Sequence, residues 1–252
     1  MNTLGIDFGT SNTSAAVLVN GRAHLIEVEA GRTTLPTSIF FDYHNGSTTY
    51  GSVANAAQID GREGRFMRAL KSVLGTPLMR EQRQIHYERL TLIEAIARFL
   101  TMIREWAEAT TGMPFTHALS GRPVRFHSEN AERNAQAEID LREAYMVAGF
   151  KHVDFLFEPE AAALAAGPLP KGKLGLIVDI GGGTSDFSVF ERDGLNTRII
   201  TSYGVRVGGT DFDKAISLAQ VMPLLGRGAE IRNDMGPGTY TAPNAVYNDL
   251  AA

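Results

Sequence analysis

Two short stretches of this chain combine the residue types that hold phosphate. VDIGGGTSD, residues 178–186, places Asp179, three consecutive glycines, Thr184, Ser185 and a second acid, Asp186, in a row. GIDFGTSNT, residues 5–13, repeats that order with Asp7, Gly9, Thr10 and Ser11. Glycine has no Cβ, so such a turn can be sharp and can bring backbone N–H donors against an anion, with hydroxyls adding further bonds. Each turn follows apolar residues, so each reads as a strand running into a phosphate-sized turn.

The elements around the turns repeat as well. GIDFGTSNT is followed by the apolar run 14–19 and the hairpin signal Asn20-Gly21, and VDIGGGTSD by the run 187–190 and the hairpin signal Asp193-Gly194. The chain therefore carries two copies of a strand, glycine turn, strand, tight turn, strand unit. Their separation is too long for a solenoid, and a duplicated half-domain is the expectation. Two such units facing each other could grip one phosphate chain.

The first copy, residues 3–29, reads as a three-stranded antiparallel meander, and beyond it 37–43 reads as a further strand, with Thr48–Gly51 returning. Val53–Gly75 reads as a helical segment broken by Gly61 and Gly64. Thr91–Glu108 has apolar residues at spacings of three and four, an amphipathic helix ended by Gly112 and Pro114. FTHALSGRPV is a strand, Ser128 the expected N-cap of a helix to Ala148, HVDFLF (152–157) a strand, and EPEAAALAA a helix with Pro159 in its first turn. GPLPKGK, 167–173, punctuates the chain before the second meander. A Gly-Gly turn, an Asp211 cap and a short helix follow, and beyond Pro223 no period is sustained. The expected division is a first lobe over 1–166, a partial second lobe over 167–222, cut off after its meander and first helix, and an irregular tail over 223–252.

Composition excludes several classes. A net charge of -4 and a pI near 5.9 argue against nucleic acid as a partner. The basic residues from Arg62 to Arg104 read as a solvated surface, with a docking face for an acidic partner as the sharper alternative. Without cysteine there is no disulfide, thiolate nucleophile or cysteine zinc site. HExxH and GxSxG are absent, and GPLPKGKL has P-loop spacing but puts Leu174 where a hydroxyl must meet Mg²⁺. A strand begins within a few residues of Met1, no apolar run is long enough to span a membrane, and the cytoplasm is the expected location.

These motifs resemble the nucleotide-binding domain of the seventy-kilodalton heat-shock (DnaK) chaperones, within the actin-like and sugar-kinase ATPase superfamily. GIDFGTSNT resembles the family's first phosphate motif and VDIGGGTSDFS its second; FEPEAAAL resembles the first connecting motif, FMRALKSVLG the segment with the catalytic lysine, and VGGTDFDKAI the turn and helix after the second phosphate motif. SGRPV and VMPLLG are more similar to the shorter YegD-type chaperones. Where the main family has an arginine eight positions after its switch proline, this chain has Ala131 after Pro123. The implied fold is α/β, actin-like (ribonuclease H-like), with duplicated βββαβαβα lobes of which the second is incomplete.

The resemblance implies ATP or ADP with Mg²⁺ as the bound species. Backbone amides of Gly9, Thr10, Ser11 and Asn12, and of Gly181, Gly182, Gly183 and Thr184, would hold the β- and γ-phosphates, and Asp7 and Asp179 would hold Mg²⁺ through its waters. It adds Lys71 beside the γ-phosphate, Glu158 near the metal shell and Asp186 as a further acid. Each has a plainer alternative: a strand-end Asp can be a turn former, Lys71 and Glu158 can complement helix dipoles, and Asp186 can be a surface residue. The family's second half, with its adenosine-binding motif, and a peptide-binding domain are not visible. Unfolded polypeptides or co-chaperones would then act through parts outside this sequence. A cell-shape filament ATPase, a sugar or acyl kinase, and a non-catalytic remnant remain open alternatives.

Overall fold

Alternation along the first strand decides which way the central sheet faces. In the computed structural model, which describes residues 2–166, 169–170, 172–193 and 196–251, β1 (Thr3–Phe8) buries Leu4, Ile6 and Phe8 and turns Asp7 to the opposite face. β2 (Asn12–Val19) and β3 (Arg22–Leu25) complete an antiparallel meander through Asn20 and Gly21, both at positive φ, as a two-residue hairpin turn requires. The third strand ends at Leu25, earlier than the alternation to Glu29 suggests, although Ile26 and Val28 stay in the core. β4 (Thr34–Pro36) also pairs with β2.

β5 (Ser38–Asp42) is buried along its whole length between β6 (Thr48–Tyr50) and β7 (Gly64–Arg68), with α1 (Gly51–Ile59) joining the two flanking strands. This corrects the reading of 53–75 as broken helix. Residues 64–68 pair in register with β5, and the pairing of a buried strand outweighs local propensity. A 3₁₀ turn, Leu70–Val73, carries Lys71, and a small hairpin of β8 (Arg83–Ile85) and β9 (Glu88–Leu90) follows.

α2 (Leu92–Thr111) is the expected amphipathic helix. The Glu94 N–H donates to the Thr91 hydroxyl at 3.2 Å and the Thr91 N–H to the Glu94 carboxylate at 2.7 Å, and Gly112 ends the helix at φ 67. Ile96, Phe99, Leu100 and Ile103 form its buried face. β10 (His117–Arg122) then lies parallel to β1. Asn130, not Ser128, caps α3 (Ala131–Val147), its side-chain oxygen accepting from the Arg133 N–H at 2.8 Å. β11 (His152–Phe157) is parallel to β10, giving the sheet order β11-β10-β1-β2-β3, and α4 (Glu158–Ala165) starts directly from it.

The second meander is β12 (Leu174–Ile180), β13 (Ser185–Asp193) and β14 (Asn196–Val205), an antiparallel sheet of its own. Gly194 of its expected turn lies outside the described residues, as do Gly167, Pro168 and Lys171 of the punctuating segment. The chain divides into two compact units, Met1–Arg206 and Val207–Ala252. In the second unit α5 (Gly209–Ile216) begins where the Gly208 N–H donates to the Asp211 carboxylate, at 2.9 Å. Residues 223–252, which lack a sequence period, hold a short hairpin of β15 (Glu230–Arg232) and β16 (Thr239–Thr241) and a helix α6 (Asn244–Leu250). Among the described residues no helix is long and apolar enough to cross a membrane.

One close approach fixes the segment after Lys71. Gly75 has φ 78, its N–H donates to the buried Asp140 carboxylate on α3 at 2.9 Å, and a Cβ there would collide with the Arg133 carbonyl oxygen. Gly112 has a similar φ and nothing within 4 Å of a Cβ position. Gly112→Ala should therefore lose only the left-handed penalty of about 1–2 kcal/mol, and Gly75→Ala clearly more. Urea midpoints of the two variants compare them, and equal losses would show that the approach to α3 yields easily.

Candidate functional site

The core requirement on β1 is what points Asp7 away from the core. Beyond it the chain turns through a bond from the Gly9 N–H to the Asn12 carbonyl, 3.0 Å long, and a Cβ at Gly9 would overlap that carbonyl. The second copy closes with the equivalent bond, Gly181 N–H to Thr184 carbonyl, at 2.9 Å. Strand registers match too. Asp7 stands opposite Ser14 across β1 and β2, and Asp179 opposite Asp186 across β12 and β13.

The two turns meet. Side chains of Thr10 and Ser11 fill the space that a Cβ on Gly182 or Gly183 would need. Gly9 to Asn12, Gly181, Gly182 and Thr184 border a cavity of about 760 Å³ that Asp7, Asp179 and Glu158 also line. Gly183 lies on the other side, lining with Lys71, Thr10, Thr184 and Pro123 a hole of about 10 Å³. That is room for about one water.

Lys71 is buried, and its ammonium donates to Glu158 Oε1 at 2.6 Å. Glu158 opens α4, with Pro159 in the first turn, so its carboxylate sits at the positive end of the helix. The Lys71 segment is tied down on both sides: His127 Nε2 donates to the Leu74 carbonyl at 2.6 Å, and Arg206 to the Ser72 carbonyl at 2.6 Å.

The acids shift one another. Asp7 is held above the usual carboxylate range, first by loss of hydration against the cleft walls, although its surface still reaches solvent. Lys71 opposes that rise, and Glu158 and Asp179 add to it. Asp179 is raised by desolvation and then by Glu158, again against Lys71. Asp186, 1% exposed, is pushed up to about 6, chiefly by burial, while a hydrogen bond from the Val124 N–H at 3.1 Å holds it down. Mutual repulsion among ionised carboxylates disfavours the fully charged cluster, and a bound cation would relieve it.

Among the described residues no group of three carboxylates or histidines converges closely enough to chelate a metal ion. Two acids from opposite turns, on a cavity that admits water, suit Mg²⁺, which keeps most of its waters and takes few protein ligands. Of the sequence-predicted residues, Asp7, Gly9 to Asn12, Glu158, Asp179, Gly181, Gly182 and Thr184 line this cavity, Lys71 and Gly183 line the small hole beside it, and Asp186 is buried behind them, opposite Asp179 across the strands. Two contributors carry no signal in the sequence: the Val124 amide and Arg206. SGRPV stands out in the sequence only by its similarity to the YegD-type chaperones, and no side-chain pattern announces a backbone N–H donor.

Residues 3–222 match the family described as Hsp70 protein. Among curated relatives, the chaperone protein DnaK of Ureaplasma parvum is 32% identical over 216 residues, and that of Thermoplasma acidophilum 32% identical over 220 residues. DnaK of Metamycoplasma hominis is 31% identical over 218 residues. Each alignment covers 84% of this chain and 34% of the relative, so the chain spans about a third of the length of the curated relatives it matches. On the family match and this identity, the chain belongs to the Hsp70 family, whose fold is that of the actin-like ATPases.

Proposed function

We propose that the cleft binds ATP with Mg²⁺ and hydrolyses it slowly, as the nucleotide-binding part of a DnaK-like chaperone. One observation carries this reading: two glycine turns closed by the same N–H to carbonyl bond border a single cavity, which Asp7, Asp179 and the Lys71-bound Glu158 line as well. With the Gly9 and Gly181 N–H groups closing the turns, backbone amides of Thr10–Asn12 and Gly182–Thr184 hold the β- and γ-phosphates, helped by the Thr10, Ser11 and Thr184 hydroxyls. Asp7 and Asp179 accept from the waters of Mg²⁺, which when bound neutralises charge on the phosphates. In this reading residues 1–166 form the first lobe and 167–222 begin the second. Client polypeptides and co-chaperones act through regions beyond the matched third of the relatives.

Lys71 has three donors, so it can keep Glu158 and still meet the γ-phosphate or orient the attacking water. The small hole beside Lys71 and Thr184 is a place for that water. Glu158 and Asp186 are the acids available to take its proton. Phosphoryl transfer needs mostly positioning and charge neutralisation, which this arrangement supplies without a covalent intermediate.

Binding of Mg-ATP by the full chain, measured by calorimetry, tests the reading. Asp179→Ala should weaken it at least tenfold while leaving the circular dichroism unchanged; binding as tight as in the parent would remove Asp179 from the metal's surroundings.

Proton linkage supplies a second test. Asp186 ionises near pH 6 in the folded chain and near 4 when unfolded, so the folded state binds the extra proton between those values. Stability from this group is full below pH 4 and is lost as pH rises through about 6, by roughly 2–3 kcal/mol. Turnover moves the other way, falling below about pH 6 as the acceptor becomes protonated. Asp186→Asn still offers Val124 an acceptor and should flatten the stability decline, read by urea titrations at pH 4.5 and 7.5. An unchanged slope would sink the assignment.

A further inference from the structure

We propose that Arg122 is a positioning residue that fixes two of the cleft's acids, Glu158 and Asp186, from a single guanidinium. Arg122 is the last residue of β10 and pairs in register with Phe157, the last residue of β11, directly before Glu158. Its side chain is 12% exposed and forms an ion pair with Glu138 on α3. Nε donates to the Pro123 carbonyl at 3.2 Å, and Nη2 lies 3.5 Å from the Val124 carbonyl. The guanidinium carbon lies 5.1 Å from the ring centroid of Phe126 and 5.1 Å from that of Phe157. One planar cation therefore touches its own turn, the helix behind it and the strand end that leads into α4.

The consequences reach both acids. Holding the 123 and 124 carbonyls sets the direction of the turn, and the N–H of Val124 is what meets Asp186 Oδ1. That carboxylate is wedged against β14: a Cβ at Gly204 would lie 2.5 Å from it and 3.4 Å from the Arg125 nitrogen. Asp186 thus has little freedom to follow if the turn shifts. On the other side, the ring of Phe157 anchors the residue from which Glu158 departs toward Lys71. Lysine would keep a charge here but not the fork that spans two carbonyls and a carboxylate, nor the flat face for the two rings. A purely structural role would end at fastening β10 to α3, a task the Glu138 pair alone could do.

The inference rests on the ATPase reading for its kinetic half, and the test separates the two. The full chain is compared as parent, Arg122→Lys, Arg122→Met and Glu138→Gln. Relative to the parent, the Val124 amide proton resonance should move upfield in Asp186→Ala, which removes the acceptor and so marks the hydrogen bond. Arg122→Met, and to a lesser degree Arg122→Lys, should move it the same way, whereas Glu138→Gln leaves it within half of that displacement. With ATP, Arg122→Met should lower kcat about tenfold and leave KM within twofold, the signature of misplaced acids rather than lost binding. A Val124 resonance that stays at its parent position in folded Arg122→Met or Arg122→Lys overturns the proposal, as does a rise in KM with kcat unchanged. Should Arg122→Met not fold, Arg122→Lys and Glu138→Gln decide by the same criteria. If the parent chain turns over no ATP, the ATPase reading fails, and the Val124 resonance alone decides the positioning claim.

Discussion

Asp7, Glu158 and Asp179 line one cleft with Asp186 buried beside them, and the buried ammonium of Lys71 makes their company tolerable. Its charge lowers the pKa of Asp7, Asp179 and Asp186 against the desolvation that raises them, and its 2.6 Å bond to Glu158 fixes the fourth acid. A buried ion pair is a costly way to gain stability, since desolvation offsets most of the attraction. Its presence therefore makes sense as a constraint on geometry. Much of the surrounding structure serves that constraint: Gly75 docks on Asp140, His127 holds the Leu74 carbonyl and Arg206 the Ser72 carbonyl, so the segment carrying Lys71 is pinned at several points within a few residues.

What could be read from the residues follows from steric signatures that are local. Glycine turns after apolar runs are legible because close backbone approach admits nothing else, as at Gly9. α2 is legible because one face must be buried and its capping box sits within four residues. Residues 64–68 form a strand that the sequence does not reveal, because nothing local distinguishes GRFMR from a helix and pairing with β5 decides the matter. Ser128 and Asn130 are both good caps, and only the geometry of the first turn selects Asn130. The Val124 amide was invisible for a different reason: every residue but proline has an N–H, and only the turn tells which one meets an acid.

The duplication is unequal in a way that bears on the site. Leu4, Ile6 and Phe8 of β1 are buried, whereas the residues at the same places in the second copy, Leu176, Val178 and Ile180, are 63%, 52% and 58% exposed. The alternation is the same in both copies. In the first it builds the core, and in the second it leaves an apolar face open, so burial contributes less to holding β12 in place.

The second half of the cleft is held by packing of its strands on α4 and by the site's own contacts with the first half. Asp186 accepts from Val124, Gly182 and Gly183 abut Thr10 and Ser11, and Arg192 reaches the Leu164 carbonyl at 3.0 Å. Polar contacts of this kind each contribute about 1 kcal/mol, far less than a packed core. A ligand bridging the two glycine turns would therefore add a large fraction of the energy that keeps them in register, because it favours the assembled cleft over any state in which the second meander has moved away. Occupancy of the cleft and order in the second meander are therefore linked: each favours the other.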